Sequence, residues 1–75
     1  MEEIIINRIS EASRNRVLNI STDSLFAEDL EFDNLDLVEL CFDLELALRI
    51  TIDYEGLYKI KTVGDLIAYI KTLTQ

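Results

Sequence analysis

From Asn34 onward the chain places Leu37, Leu40, Cys41, Leu44 and Leu48 at steps of three and four residues, the spacing that turns one side of an α-helix toward a core. The pattern predicts a helix from about Asn34 to Leu48. Asp33 stands where it can cap that helix, and Asp36 falls in the first turn, where a carboxylate suits the helix dipole. A leucine-faced helix of this length needs other elements to cover it, and 75 residues leave room for only one small domain. The whole of residues 1–75 is therefore read as a single domain.

Two further segments supply that cover. Between about Glu2 and Val17, Ile5, Ile9 and Ala12, with Ile6, Ser13 and Val17 beside them, recur at helical steps, although the β-branches of Ile4 and Ile6 weaken the pattern locally. Near the C-terminal end, Val63, Leu66, Ile67, Ile70 and Leu73 form another amphipathic stripe, and Thr62 with Asp65 resembles a capping box. Between the first two helices, "NISTDSLFAEDLEFD" loses periodicity and reads as a long connection, pinned to the core by Ile20, Leu25, Phe26 and Leu30. The piece "ITIDYEGLYKIKT" holds a short extended stretch and one helical turn around Tyr54 to Tyr58. The expected architecture is all-α: a small four-helix bundle of three main helices and one short one, with a long first loop.

Composition narrows what such a bundle can do. With no His and a single Cys41 on a core position, no nucleophile and base pair is visible and no zinc-type grouping exists. The acids fall on solvent faces, where nothing shifts them toward acid–base work, so the chain is not expected to be an enzyme. Asp29, Glu31 and Asp33 alternate like calcium-loop ligands, but Asn34 stands where the loop needs Gly and Leu40 where it needs the bidentate acid. No metal site is expected. No apolar run approaches the roughly 20 residues that span a bilayer, and "MEEIII" opens acidic where a secretory leader opens basic; the expected location is the cytoplasm.

Charge is unevenly spread, and its distribution says more than its total. The net charge is −8, and eleven of the fifteen acids lie between Asp23 and Glu55 with Arg49 as the only base among them. Such a field repels nucleic acid and anionic membranes and attracts basic protein surfaces or cations. On a helical wheel Asp36, Glu39 and Asp43 gather beside the buried stripe of the second helix, and Leu35, Val38 and Phe42 form a second apolar stripe beyond them. Either another helix covers that second stripe or a partner does. In the partner reading, Val38 and Phe42 are apolar anchors, while Asp36, Glu39, Asp43 and Glu45 orient a basic surface.

The segments "FAEDLEFDNLDLVEL" and "KIKTVGDLIAYI", with the long loop before the first of them, resemble the acyl carrier protein family over nearly the whole chain, from the first helix to Ile70. The resemblance implies a four-helix bundle carrying acyl thioesters on a 4′-phosphopantetheine arm. The arm is attached to the Ser of an Asp-Ser-Leu motif at the head of the second helix, which is also the surface that docks partner enzymes. Carried over residue by residue, Asp33 and Leu35 take the outer motif positions, and Asp36, Val38, Glu39, Phe42 and Glu45 take the docking face. The attachment position holds Asn34. A carboxamide nitrogen is a poor nucleophile because its lone pair is delocalised, so the chain as written is not expected to accept the arm. Ser21 and Ser24, in the loop, do not match the motif. Two other departures are Glu31, where the family usually has Gly, and Asp53, where it often has Pro.

The expected function is accordingly that of a monomeric carrier-like domain. It docks through its acidic second helix to basic patches of acyl-transfer, synthase or carrier-modifying enzymes in fatty acid, polyketide or related metabolism, and bears no cofactor of its own. The alternative is a genuine acyl carrier whose native sequence has Ser at this position. A third expectation is a small structural subunit that uses the second apolar stripe as a permanent interface.

Overall fold

The computed structural model describes residues 2–13 and 20–74. Its elements run α1 (Glu2–Ala12), α2 (Asn34–Leu48), a short 3-10 helix (Tyr54–Lys59) and α3 (Val63–Thr74). Helix α1 packs against both α2 and α3. It buries Ile5 and Ile9, while α2 buries Leu37, Leu40, Cys41 and Leu44, and α3 buries Val63, Leu66, Ile67 and Ile70. All belong to one hydrophobic cluster, which Ile52 and Leu57 complete from the segment before α3.

Helix α1 is shorter than its periodicity suggests. It stops at Ala12, and Ser13, whose N–H closes the last turn on the Ile9 carbonyl at 2.9 Å, is the first residue past it. Ala12, expected on the core face, is exposed, because in this last turn it borders a surface depression with Arg8 and Glu11. Val17 lies outside the described residues. Leu48 and Leu73, expected in the buried stripes of their helices, are half-buried at the helix ends.

The boundaries of α2 follow its capping chemistry. The Asp36 N–H donates to Asp33 Oδ1 at 2.8 Å and the Asp33 N–H donates to Asp36 Oδ2 at 3.1 Å, so the two aspartates satisfy two backbone donors reciprocally. At the other end Arg49 takes the left-handed conformation, with φ 56°, and its N–H returns to the Glu45 carbonyl. Helix α3 opens on the expected box: the Asp65 N–H donates to Thr62 Oγ1 at 3.0 Å, and Asp65 Oδ2 accepts the Thr62 N–H at 3.1 Å. The same Asp65 oxygen accepts the Lys61 N–H, and the two backbone donors, Lys61 foremost, lower the Asp65 pKa.

The long connection is folded rather than draped. Phe26 and Leu30 are buried as expected, Ile20 and Leu25 are half-buried, and Phe32 joins them, its ring centroid 5.5 Å from that of Phe26. Backbone bonds tie the loop to the start of α3: the Phe26 N–H donates to the Lys61 carbonyl and the Val63 N–H to the Ser24 carbonyl, both at 3.0 Å, around an isolated bridge between Leu25 and Thr62. The Gly64 N–H reaches the Thr22 carbonyl at 2.8 Å. A Cβ on Gly64 would stand 3.0 Å from that same oxygen, so glycine permits the approach.

Glu31 sits at φ 57°, a conformation in which the Cβ of an L-residue crowds its own backbone. Gly has no such penalty there, though it forfeits more chain entropy on folding. Glu31→Gly is therefore expected to stabilise the fold by about 0.5–1 kcal/mol, a rise of roughly 4 °C in melting temperature for a chain this size. Thermal melts followed by circular dichroism measure this; an unchanged or lower midpoint would count against strain at Glu31.

Candidate functional site

The solvent side of α2 carries the candidate site, and the helix caps fix how it is presented. Asn34 is the first helical residue and is exposed, immediately after the capping Asp33. From there Leu35, Val38 and Phe42 stand 63%, 39% and 58% exposed. Among the described residues no element covers this stripe fully, which leaves it open to a partner. Leu46, at 68%, continues the same row by one further helical step. The sequence reading missed it, although the same three- and four-residue steps that singled out Phe42 lead directly to it.

The acids divide into two groups. Glu39 is exposed, and Asp36 is half-exposed with one oxygen in the capping box. Asp43 instead faces α1, where Arg8 Nη1 lies 3.2 and 3.3 Å from its two carboxylate oxygens. Both side chains remain substantially exposed, and such surface pairs contribute little stability. Glu45 also turns inward along the chain, accepting the Ile52 N–H on Oε2 at 2.8 Å and the Tyr54 hydroxyl on Oε1. The Ile52 N–H, then the Tyr54 hydroxyl, holds the Glu45 carboxyl below its usual pKa, while burial and Glu45 push Tyr54 up to about 12. Glu45 thus clamps the segment after α2 and directs Ile52 into the core.

Beside Asn34 a depression of about 210 Å³ opens between α2 and the 3-10 helix, lined by Asn34, Leu37, Val38, Tyr54, Glu55, Leu57 and Tyr58. The sequence reading assigned the two tyrosines no role; a six-residue 3-10 helix is too short for its three-residue period to mark a face, so nothing local signalled them. Asp53, the departure from the family's Pro, caps this turn by accepting the Glu55 N–H at 3.0 Å and donates its own N–H to the Tyr69 hydroxyl at 2.8 Å. Proline could not make the second bond.

Chemistry beyond binding is sparse. Cys41 is fully buried, and desolvation, with Glu45 adding to it, pushes its thiol up to about 12, far from a thiolate at neutral pH. Among the described residues no cluster of three or more His, Cys, Asp or Glu side chains is placed to hold a metal ion. No helix of the described residues is long and apolar enough to cross a membrane.

No family model matches the chain. An acyl carrier protein of Rickettsia typhi is 42% identical over 71 residues, covering 95% of this chain and 83% of the relative. The acyl carrier protein of Rickettsia prowazekii matches to the same extent. Among solved structures, a protein assigned as an acyl carrier protein from Mycobacterium tuberculosis superimposes with a TM-score of 0.85 at 32% identity, over 95% of both chains.

Proposed function

The chain belongs to the acyl carrier protein family, and from that premise we propose that it works by docking: α2 presents its outer face to basic patches on acyl-transfer, synthase or carrier-modifying enzymes. Members of this family are carriers rather than enzymes and bear 4′-phosphopantetheine. The observation that carries the docking reading is the juxtaposition on one helix of exposed Leu35, Val38 and Phe42 with Asp36 and Glu39. Apolar anchors give a complex its lifetime, and flanking acids draw in a basic partner and set its register. Asp43 and Glu45 lie at the margin of this face, with their carboxylates already engaged by Arg8 and by the Ile52–Tyr54 segment. A second copy of the chain would bring like charges together across α2, so the domain is read as a monomer that meets unlike partners.

The prosthetic group of the family does not fit the residues present. Its attachment requires a hydroxyl at the head of α2, and Asn34 offers a carboxamide there. The second reading is a carrier of thioester intermediates whose native sequence has Ser at this position. It draws support from the frame around position 34, since an exposed first-turn site capped by Asp33 would take Ser without rearrangement.

The test is a charge reversal. Asp36 is a poor probe because it also closes the cap, and Glu2 is a poor control because Lys71 Nζ lies 2.7 Å from its carboxylate. Glu39→Lys and Glu3→Lys avoid both problems. Against an immobilised phosphopantetheinyl transferase, Glu39→Lys is expected to weaken binding about tenfold, while Glu3→Lys leaves it within about twofold. Equal effects of the two reversals would remove the docking face from α2.

A further inference from the structure

We infer that this chain is a carrier fold that docks but cannot be loaded, and that it acts as a competitive occupant of the basic carrier-binding surface of the enzymes that transfer the phosphopantetheinyl group. The inference rests on the docking reading above and adds to it what the partner is and what the encounter does.

Two features on the same helix carry it. First, the face a transferase would read is intact. Asp33 and Asp36 hold the head of α2 in a closed capping box at 2.8 and 3.1 Å, Glu39 is exposed, and Val38 and Phe42 stand out of the core. Second, the atom that such an enzyme joins to phosphorus is missing. Loading makes an oxygen–phosphorus bond from a side-chain hydroxyl, and the Asn34 carboxamide has neither the oxygen–hydrogen bond nor a localised nitrogen lone pair to replace it.

The hydroxyls of Ser24 and Tyr54 do not stand in for it. Ser24 is buried in the connection, its Oγ accepting the Ser21 N–H at 3.0 Å, and the segment that holds it is bonded to the start of α3 rather than to the head of α2. The Tyr54 hydroxyl is donated to the Glu45 carboxylate. A protein that binds this surface and offers nothing to transfer leaves as it came, and the enzyme is occupied meanwhile.

The experiment uses the full chain, its Asn34→Ser variant, a phosphopantetheinyl transferase and coenzyme A, read by intact mass. The unmodified chain is expected to gain no mass, and Asn34→Ser to gain one phosphopantetheinyl group. With the variant held well below its KM, adding the unmodified chain at a concentration equal to that KM is expected to slow loading roughly twofold, since substitution at one exposed side chain leaves the docking affinity unchanged. The same chain carrying Glu39→Lys is expected to slow it far less. Matching far-ultraviolet circular dichroism spectra establish that the variants are folded.

Mass gain on the unmodified chain would overturn the inference outright. If Asn34→Ser is loaded while excess unmodified chain leaves its rate unchanged, competition is wrong and Asn34 itself weakens the encounter, while the docking face of α2, still read by the enzyme in the variant, survives. If Asn34→Ser stays unloaded while the unmodified chain binds the transferase in a calorimetric titration, residue 34 is not the block, and the inference again falls alone. Absence of both binding and loading removes the docking reading together with everything built on it.

Discussion

Leu44→Ala is expected to remove a large part of the stability of this domain, whereas Leu46→Ala, two residues along the same helix, leaves it nearly unchanged. Leu44 is 0% exposed and Leu46 is 68% exposed. Truncating a fully buried leucine costs the transfer free energy of the lost methyl groups plus the cavity left behind, about 3 kcal/mol in a core that relaxes only partly. A chain of this length has about 4–11 kcal/mol in total, and near its melting point each kcal/mol corresponds to roughly 4–8 °C. The expected fall in midpoint is therefore about 12–24 °C for Leu44→Ala. For Leu46→Ala it is within about 0.5 kcal/mol of zero, as for most surface changes. Calorimetric or circular dichroism melts decide the matter, and comparable losses from both variants would mean that α2 has been assigned the wrong faces.

How far this could be read from the sequence depends on whether the information was local. Helix α2 begins at Asn34 and ends at Leu48 as its capping residue and leucine spacing imply, because both signals act within four residues along the chain. The Thr62 and Asp65 box is likewise local, and it marks the start of α3 correctly.

What escaped was set by distant partners. That Glu45 turns toward Ile52 and Tyr54, and Asp43 toward Arg8, depends on pairings across the fold that no helical wheel contains. The bridge of Leu25 with Thr62, and the Ser24 and Lys61 backbone bonds beside it, use main-chain groups that carry no side-chain pattern. Glu31 lies between these cases. Resemblance to a family with Gly there drew attention to the loop, and the positive φ supplies the physical reason. For the candidate site, the exposure of Glu39 and of the stripe through Phe42 was legible, whereas the engagement of Asp43 and Glu45 and the tyrosine-lined depression beside Asn34 were not.

Phe42→Ala is expected to separate recognition from folding. The ring stands 58% exposed in the middle of the outer stripe, with Val38 one turn before it and Leu46 one turn after. Removing it opens no cavity in the core, so the melting midpoint is expected to move by no more than about 2–4 °C. In a complex the same ring would sit at the centre of the contact, where desolvated aromatic anchors carry most of the affinity, and its loss is expected to weaken binding about tenfold to thirtyfold. The two kinds of side chain on this face should also differ in kinetics. Glu39→Lys acts on the approach of a basic partner, lowering the association rate and flattening its dependence on salt, whereas Phe42→Ala acts on the lifetime of the complex and raises the dissociation rate. Surface plasmon resonance against the transferase at two ionic strengths resolves both. If Phe42→Ala changed only the association rate, or destabilised the free domain as much as it weakened binding, the ring would be part of the scaffold rather than of the surface that partners meet.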